Sequence, residues 1–529
     1  MRQLTSMQRA TQNPADSVPA AAVPRLHVGK LCVAIQAGSP AELIERAEAA
    51  LSDSKFLEFR LDSLPRPLMV LGKVKEFLAE HRDVTVIATC RRKPFGGSFA
   101  GSLTEELDAL EKAAQADCQI VDLAVESAEE AKPAQLERFR TGLRQAGAAL
   151  LVSFHDFSRT HELDQAAKRI EVFAPEFVKV VSTAQSLADN LAVLKLIEER
   201  SLTARVVGIA MGEEGIVSRV LGMRAGGTFT FASSDGGEET APGQVTVRTL
   251  RDLYRVEQLD QATHIYGVAG NPIAHSLSPL MQNTAFRREG VNAVLLPLKT
   301  LALADLLALL HRLPLSGAAI TMPLKEEVLP HLANMDPLTA RIGACNTLRV
   351  GSDGKIVGFN TDAAGVVRPL EKRLKLKGAR IAVLGAGGAA RAAVFALVDQ
   401  GAEVLIVNRT HETAVALAKD AKAHSLTHEQ FARGRFDALI NTTPCGMAGS
   451  KQAMPIADNE LNAGLVFDMV YNPLETPLSK LAKERGIPVI SGVEMFVQQG
   501  ARQFEIWTGK PAPEAEMQRV VELALRKRD

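Results

Sequence analysis

The sequence predicts two α/β modules in series. The first is a closed (β/α)8 TIM barrel. The second is a two-lobed α/β unit whose later lobe is a Rossmann nucleotide-binding sheet. Three observations predict this. Short apolar, β-rich runs alternate eight times with helically spaced stretches in the first half of the chain. A new βα series begins at Ile265. A strand over 380–384 runs into Gly385-Ala386-Gly387-Gly388-Ala389-Ala390-Arg391 and opens a helix.

Taken in order, the barrel strands are expected at 31–36, 55–61, 84–90, 119–124, 149–154, 176–182, 204–210 and 228–232. Helices are expected at 40–52, 67–81, 103–116, 133–146, 161–173, 186–200, 214–225 and 245–257. Ser39-Pro40, and Ser102 followed by Glu105, mark helix starts. Eight such units within 28–257 suit a barrel of ~250 residues better than an open sheet, which usually has fewer. Residues 258–264 are short and polar and read as a join between modules. The second series places strands near 265–269, 293–297, 317–321 and 347–350. From 380 the rhythm tightens, with strands at 380–384, 404–408, 436–440, 465–469 and 487–490. Helical stretches at 493–507 and 513–527 follow and fold back on the earlier lobe. The division is therefore a tail over 1–27, a barrel over 28–257, a lobe over 264–375 completed by 493–529, and a nucleotide lobe over 376–492.

Composition narrows the function. The 529 residues carry 61 Lys plus Arg and 61 Asp plus Glu, so no net field draws nucleic acid or anionic lipid. No apolar run approaches the ~20 residues of a spanning helix. The partners are therefore small molecules, with no nucleic acid and no membrane. The five cysteines are odd in number, widely spaced and without a C-x-x-C pair, which suits a reducing compartment. Residues 1–24 lack the apolar core of a secretory signal. The expected location is the cytoplasm, or a plastid if residues 1–24 are a transit peptide.

Barrel chemistry sits at the carboxyl ends of the strands. Polar residues there are Glu58 and Arg60, Cys90-Arg91-Arg92 with Gly96-Gly97, Ser153-Phe154-His155-Asp156, Lys179, Arg219, and Thr240-Ala241-Pro242-Gly243-Gln244. Lys179 lies inside Phe-Val-Lys-Val-Val. Desolvation favours a neutral amine, and a neutral amine attacks a carbonyl to form a Schiff base. His155, from the adjacent strand, can shuttle protons near neutral pH. Arg60, Arg91 and Arg219 come from different strands at the same end, which suits a carboxylate or phosphate substrate. No metal-binding pattern is present and none is needed.

In the second module, Gly385–Ala389 brings backbone to pyrophosphate at a helix N-terminus. The next strand ends in Asn408-Arg409-Thr410, where an NAD site prefers an acid. An arginine with neutral neighbours suits the 2′-phosphate of NADP(H). Upstream lie Ser276 and Ser278 in a loop, Lys325 in Thr321-Met322-Pro323-Leu324-Lys325, and Asp362 in Gly358-Phe359-Asn360-Thr361-Asp362.

These residues carry two family resemblances. The Ser153–Phe157 run, the Lys179 strand, Met211-Gly212 with Ser218-Arg219, and Ala241-Pro242-Gly243-Gln244 resemble type I 3-dehydroquinate dehydratase over about 28–257. The resemblance implies a Schiff base on Lys179 and His155 as general acid/base. Glu58, Arg60, Arg91, Arg219, Thr240 and Gln244 would grip the substrate's hydroxyls and carboxylate. Phe95 stands where that family often has Glu, Ala34 where Ser is common, and Thr240 where Ser is frequent.

The second half resembles shikimate dehydrogenase over about 264–529. The likeness lies in Asn271–Pro279, Thr321–Lys325, Ile342–Thr347, Asn360–Asp362, Gly385–Arg391, Asn408–Thr410, Phe467–Tyr471, Glu494–Gln499 and Trp507–Gly509. It implies that Ser276 and Ser278 bind a carboxylate and that Thr321, Asn346, Asp362 and Gln499 hold ring hydroxyls. Lys325, paired with Asp362, would move a proton. Gly385, Ala386, Gly387, Gly388, Ala389, Asn408, Arg409, Thr410, Met469, Tyr471 and Gly492 would hold NADP(H). Gln282 stands where His is frequent. Together the resemblances imply two consecutive steps, from 3-dehydroquinate through 3-dehydroshikimate to shikimate. Two other readings stay open: a Schiff-base aldolase fused to an NAD-dependent quinate dehydrogenase, and a catalytically dead regulator.

Overall fold

The computed structural model describes Leu26 and residues 28–234, 243–274 and 276–527. Eight parallel strands build the first module: β1 (Leu31–Ile35), β2 (Phe56–Arg60), β3 (Thr85–Thr89), β4 (Ile120–Ala124), β5 (Ala149–His155), β6 (Phe177–Thr183), β7 (Arg205–Met211) and β8 (Thr230–Ala232). Their order is β7-β6-β5-β4-β3-β2-β1-β8. The outermost strands meet, and Thr228 N donates to Val206 O (2.7 Å) just ahead of β8. The barrel is thus nearly closed.

Alternation along each strand turns every second residue inward. Phe56, Phe177 and Phe229 pack at one end, with Phe229 lying 4.9 and 6.0 Å from the other two rings. Two residues further along β2 and β6 stand Glu58 and Lys179. The same step along β4 and β5 passes from Ile120 to Asp122 and from Leu151 to Ser153. One layer of side chains therefore takes the interior from apolar to charged, toward the carboxyl ends.

The expected helix starts hold. Ser39 accepts from Glu42 N, and Ser102 and Glu105 form a reciprocal capping box. Two expected helices differ. The stretch over 214–225 is helical only across Ile216–Leu221. Gly215 and Gly222 flank it, and a Cβ at Gly215 would stand 2.1 Å from Ala210 O. The stretch over 245–257 is a wide turn across Thr249–Leu253, closed by Tyr254 N donating to Thr249 O, and a tight turn across Val256–Gln258. Val247, Leu250 and Tyr254 keep the helical spacing of a buried face, but Arg255 takes a left-handed conformation (φ 54°) and ends it.

The second module has two sheets. The first comprises β9 (His264–Gly270), β10 (Ala293–Lys299), β11 (Leu315–Ile320), β12 (Asn334–Met335), β13 (Thr347–Val350) and β14 (Ile356–Phe359), ordered β10-β9-β11-β13-β14-β12. The other comprises β15 (Arg380–Leu384), β16 (Glu403–Val407), β17 (His424–Ser425), β18 (Ala438–Asn441), β19 (Val466–Asp468) and β20 (Val489–Ile490), all parallel. Its order, β17-β16-β15-β18-β19-β20, is the doubly wound arrangement whose switch point lies between β15 and β18. Helices Gly492–Thr508 and Glu514–Arg526 return from this sheet and pack on helix Ser278–Arg288 of the preceding lobe. One continuous apolar cluster joins the outer layer of the barrel to a face of the β9 sheet, so the two modules share a core. Among the described residues no helix is long and apolar enough to cross a membrane.

Candidate active sites

Inside the mouth of the barrel, one buried carboxylate holds two cations. Lys179 Nζ donates to Asp122 Oδ2 (2.9 Å), and Arg91 Nη2 donates to both Asp122 oxygens (3.0 and 3.1 Å). Ser153 Oγ donates to Asp122 Oδ1 (2.5 Å). Glu58 Oε1 lies 3.7 Å from Lys179 Nζ and accepts from Thr89 Oγ1. Lys179 also lies 4.2 Å above the Phe231 ring. The lysine is therefore buried with counter-charges rather than in an apolar wall. Burial pushes the Asp122 carboxyl up, but Lys179, Arg91 and His155 outweigh it and hold the group well below the usual carboxylate range.

His155 Nε2 lies 3.1 Å from Arg91 Nη1. Burial, then the Arg91 and Lys179 cations, hold its imidazole well below its ordinary pKa, against the pull of Asp122. Guanidinium nitrogens only donate, so Nε2 accepts and the ring proton sits on Nδ1. A neutral base thus stands beside the amine. Glu58, Arg60, Arg91, His155, Lys179, Arg219 and Gln244 all line this cavity. Thr240 lies outside the described residues. Phe95 lies outside the lining; Arg92 stacks over its ring at 5.0 Å, while Gly96 and Ser98 reach the cavity. Ala34 does line it.

The second cavity lies between the lobes of the other module. Lys325 Nζ donates to Asp362 Oδ2 (2.7 Å), and Asn346 Nδ2 donates to Asp362 Oδ1 (2.8 Å). Asn346 Oδ1 is held by Thr347 Oγ1 and Thr361 N, both at 2.8 Å. The carboxylate is therefore fixed on both oxygens, with the ammonium on one side. Ser276, Ser278, Thr321, Lys325, Asn346, Asp362 and Gln499 line this cavity. Tyr471 lines it too, rather than the nucleotide groove. Gln282 is buried elsewhere, donating to Gly500 O.

A groove at the carboxyl ends of β15 and β16 is lined by Gly385, Asn408, Arg409 and Thr410. Gly385 adopts φ 112°, and a Cβ there would stand 2.5 Å from Thr442 Oγ1, so only glycine fits. Gly387 and Gly388 differ: a Cβ at either would meet nothing within 4 Å. Packing within the protein does not require them, and they leave the start of helix Gly388–Asp399 open to a phosphate. Ala386 and Ala389 flank them in that turn. Asn408 Nδ2 braces the next turn through Thr410 O and Thr413 Oγ1. Arg409 is exposed and makes no hydrogen bond or ion pair with the described residues, leaving its charge for a ligand. These residues fit NADP(H). Met469 and Gly492 sit apart from this groove, where a Cβ on Gly492 would stand 2.7 Å from Met469 O.

Three further residues, of which only Phe157 belonged to a quoted motif, were given no role from the sequence. Asp122 carries the same signal as Lys179, a charge inside an apolar strand (Ile-Val-Asp-Leu-Ala). Phe157 stacks on His155 with centroids 5.8 Å apart and lines the barrel cavity. Gln503, one helical turn after Gln499, donates to Thr347 Oγ1 (3.1 Å) and lines the second cavity.

A buried amine in the barrel cavity, and in the second module a lysine–carboxylate pair with a separate groove whose residues fit NADP(H), define the class: a two-reaction enzyme, barrel plus dehydrogenase. Family models agree along the chain. Residues 31–261 match type I 3-dehydroquinase. Residues 268–348 match the shikimate dehydrogenase substrate binding domain, 369–444 shikimate / quinate 5-dehydrogenase, and 492–522 the shikimate 5'-dehydrogenase C-terminal domain. The chain is 33% identical over 506 residues to the chloroplastic bifunctional 3-dehydroquinate dehydratase/shikimate dehydrogenase of Arabidopsis thaliana, covering 91% of this chain and 82% of that one. Over 276 residues it is 42% identical to the NADP(+) shikimate dehydrogenase of Methanosarcina acetivorans, covering 50% of this chain and 99% of the relative. The solved shikimate 5-dehydrogenase of Thermus thermophilus, in complex with NADP(H) and shikimate, is 36% identical and covers 50% of this chain and all of its own, with a TM-score of 0.45. The chain belongs to the family of bifunctional 3-dehydroquinate dehydratase/shikimate dehydrogenases. It is a shikimate-pathway enzyme with lyase and NADP-dependent oxidoreductase activities, and the aldolase reading of the barrel falls away.

Proposed function

We propose that the residues lining the two cavities carry the two reactions in sequence. Lys179 Nζ attacks the ketone carbon of 3-dehydroquinate, and the carbonyl oxygen leaves as water to give an iminium. The iminium acidifies the neighbouring C–H, and His155 takes that proton. The electron pair then expels the hydroxyl on the next carbon, which departs as water with the proton His155 returns. Water hydrolyses the imine, releasing 3-dehydroshikimate and the free amine, for a net loss of one water. Asp122 holds Lys179 and Arg91 in register. Arg60, Arg91 and Arg219 take the carboxylate and hydroxyls with Glu58, Gln244 and Thr240.

In the second cavity, Ser276 and Ser278 hold the carboxylate of 3-dehydroshikimate, and Thr321, Asn346, Asp362 and Gln499 hold its hydroxyls. The Lys325–Asp362 pair delivers a proton to the ketone oxygen. NADPH, when bound, supplies the hydride. Gly385–Ala389 with Asn408, Arg409 and Thr410 hold its phosphates, and Met469, Tyr471 and Gly492 complete the set where the lobes meet. The dehydratase unit is placed at 28–257, and the dehydrogenase lobes at 264–375 with 493–529 and at 376–492. The small-molecule partners are 3-dehydroquinate, 3-dehydroshikimate and shikimate, in the cytoplasm or, if residues 1–24 direct it there, a plastid.

One observation carries this reading: Lys179, His155 and three arginines from separate elements line a single cavity. The test supplies 3-dehydroquinate and NADPH and follows enone absorbance and NADPH loss together. Wild type consumes NADPH. Lys179→Ala stops both signals, and Lys325→Ala accumulates enone. NADPH consumption that survives Lys179→Ala overturns the barrel assignment.

A further inference from the structure

The wall of the dehydratase cavity that bears Arg219 is not supported by the barrel alone. Arg219 rides on the short helix Ile216–Leu221, and that helix packs against β10, the edge strand of the next module's first sheet. Val217, Val220 and Leu221 share one apolar cluster with Val294, Leu296 and Leu298 of β10. Just before the helix, the turn Glu213–Gly215 meets the end of the same strand. There Lys299 Nζ lies 2.5 Å from Glu213 Oε2 and 3.3 Å from Glu214 Oε1. This turn is also the seat of Gln244. Gly243 adopts φ 67°, and a Cβ on it would stand 2.4 Å from Gly212 O and 3.1 Å from Glu213 N. The peptide that Gly243 rests on is thus the one that Lys299 clamps through the two following carboxylates. Asn190 Nδ2 fixes the other side by donating to Glu214 O (2.7 Å). Lys299 lines neither cavity.

We infer that Lys299, a residue of the dehydrogenase module, is a positioning residue for the dehydratase: it holds the 212–215 turn that sets Arg219 and Gln244 against the substrate. The fusion then does more than tether two enzymes, because the second module supplies part of the first one's frame. The inference rests on the reading that Arg219 and Gln244 grip 3-dehydroquinate.

The test uses the full chain and assays each reaction separately, with Gln244→Ala as the check on that reading. Lys299→Glu is expected to raise KM for 3-dehydroquinate about five-fold with kcat held within about two-fold, since the loss falls on substrate placement. NADP-dependent oxidation of shikimate is expected to stay within about two-fold of wild type, because Lys299 touches no group of that cavity. Reversing the clamp, with Glu213→Lys and Glu214→Lys added to Lys299→Glu, is expected to bring KM back toward wild type. An unchanged KM in Lys299→Glu overturns the inference. So does failure of the reversed clamp to restore it, or a parallel loss of both activities, which would make Lys299 a general stabiliser. An unchanged KM in Gln244→Ala would instead overturn the reading beneath it.

Discussion

Asp122 and Lys179 form the central relationship of the barrel site: a carboxylate 2.9 Å from the amine, with Arg91 on its other flank. A single buried anion thereby offsets two buried cations, with Glu58 3.7 Å from the lysine. Breaking a buried pair from one side leaves uncompensated charge and typically costs about 3–5 kcal/mol. Asp122→Asn keeps the shape and removes the charge. It should lower the barrel's unfolding temperature and reduce dehydratase turnover by about a hundred-fold or more, because Lys179 and Arg91 lose their shared anchor. Calorimetry and the enone assay check both. Dehydrogenase turnover below the unfolding temperature should be unchanged.

His155 gives the pH dependence a definite sign. Burial first, then Arg91 and Lys179, hold it well below the ordinary 6.5, so the folded protein keeps it neutral where the unfolded chain is protonated. Below that pH the unfolded state binds more protons, and stability falls by up to about 1.4 kcal/mol per pH unit from this group alone. The loss runs from the unfolded value down to the depressed folded one, and none of it is present above pH 6.5. His155→Asn removes it. Between pH 6.5 and mildly acid pH, wild type should therefore lose more stability than the variant in matched denaturant titrations. Equal losses would mean that the folded imidazole titrates normally.

Much of this site was legible because β-strand alternation is simple. Lys179 shows itself as a charge inside an apolar run, and the same step of two residues puts Glu58 and Ser153 in its layer. Asp122 carries an equal signal, but its meaning depends on β4 and β6 flanking β5 in the barrel, so that their inward side chains meet, a long-range relation that no local pattern encodes. The fate of 245–257 was also hidden. Its apolar spacing is helical, yet the left-handed Arg255 and a widened turn set the geometry. Tyr471 was legible as part of a motif, whereas its position on the substrate cavity depends on how the return helix brings the lobes together.

Lys325 and Asp362 form a pair whose geometry is fixed from both sides. Asp362 accepts from Lys325 and from Asn346, and Asn346 is itself held by Thr347 and by Thr361 N. Asp362→Asn would keep the Asn346 neighbourhood but remove the ammonium's counter-charge. Its kcat for reduction of 3-dehydroshikimate should fall by about 10²–10⁴, the usual contribution of a positioned acid–base group, with KM changed far less. Steady-state kinetics at saturating NADPH separates the two. An equal loss in KM would assign the pair to binding instead.

Arg409 is the residue of the groove proposed to set the choice of cofactor. It stands at the rim of the groove, exposed and without a protein partner among the described residues, while its neighbour Asn408 is committed to bracing the turn. A guanidinium with no internal partner loses nothing when it meets the extra phosphate, and a charge-assisted contact of this kind contributes about 1.5–3 kcal/mol. Arg409→Ala should therefore weaken NADP+ binding by about 10–100-fold, with NAD+ binding nearly unchanged. Titration calorimetry with both dinucleotides measures this directly. If the variant lost affinity for both equally, Arg409 would be holding the turn or the pyrophosphate, and discrimination would have to come from Thr410 and the open N-terminus of the helix behind it.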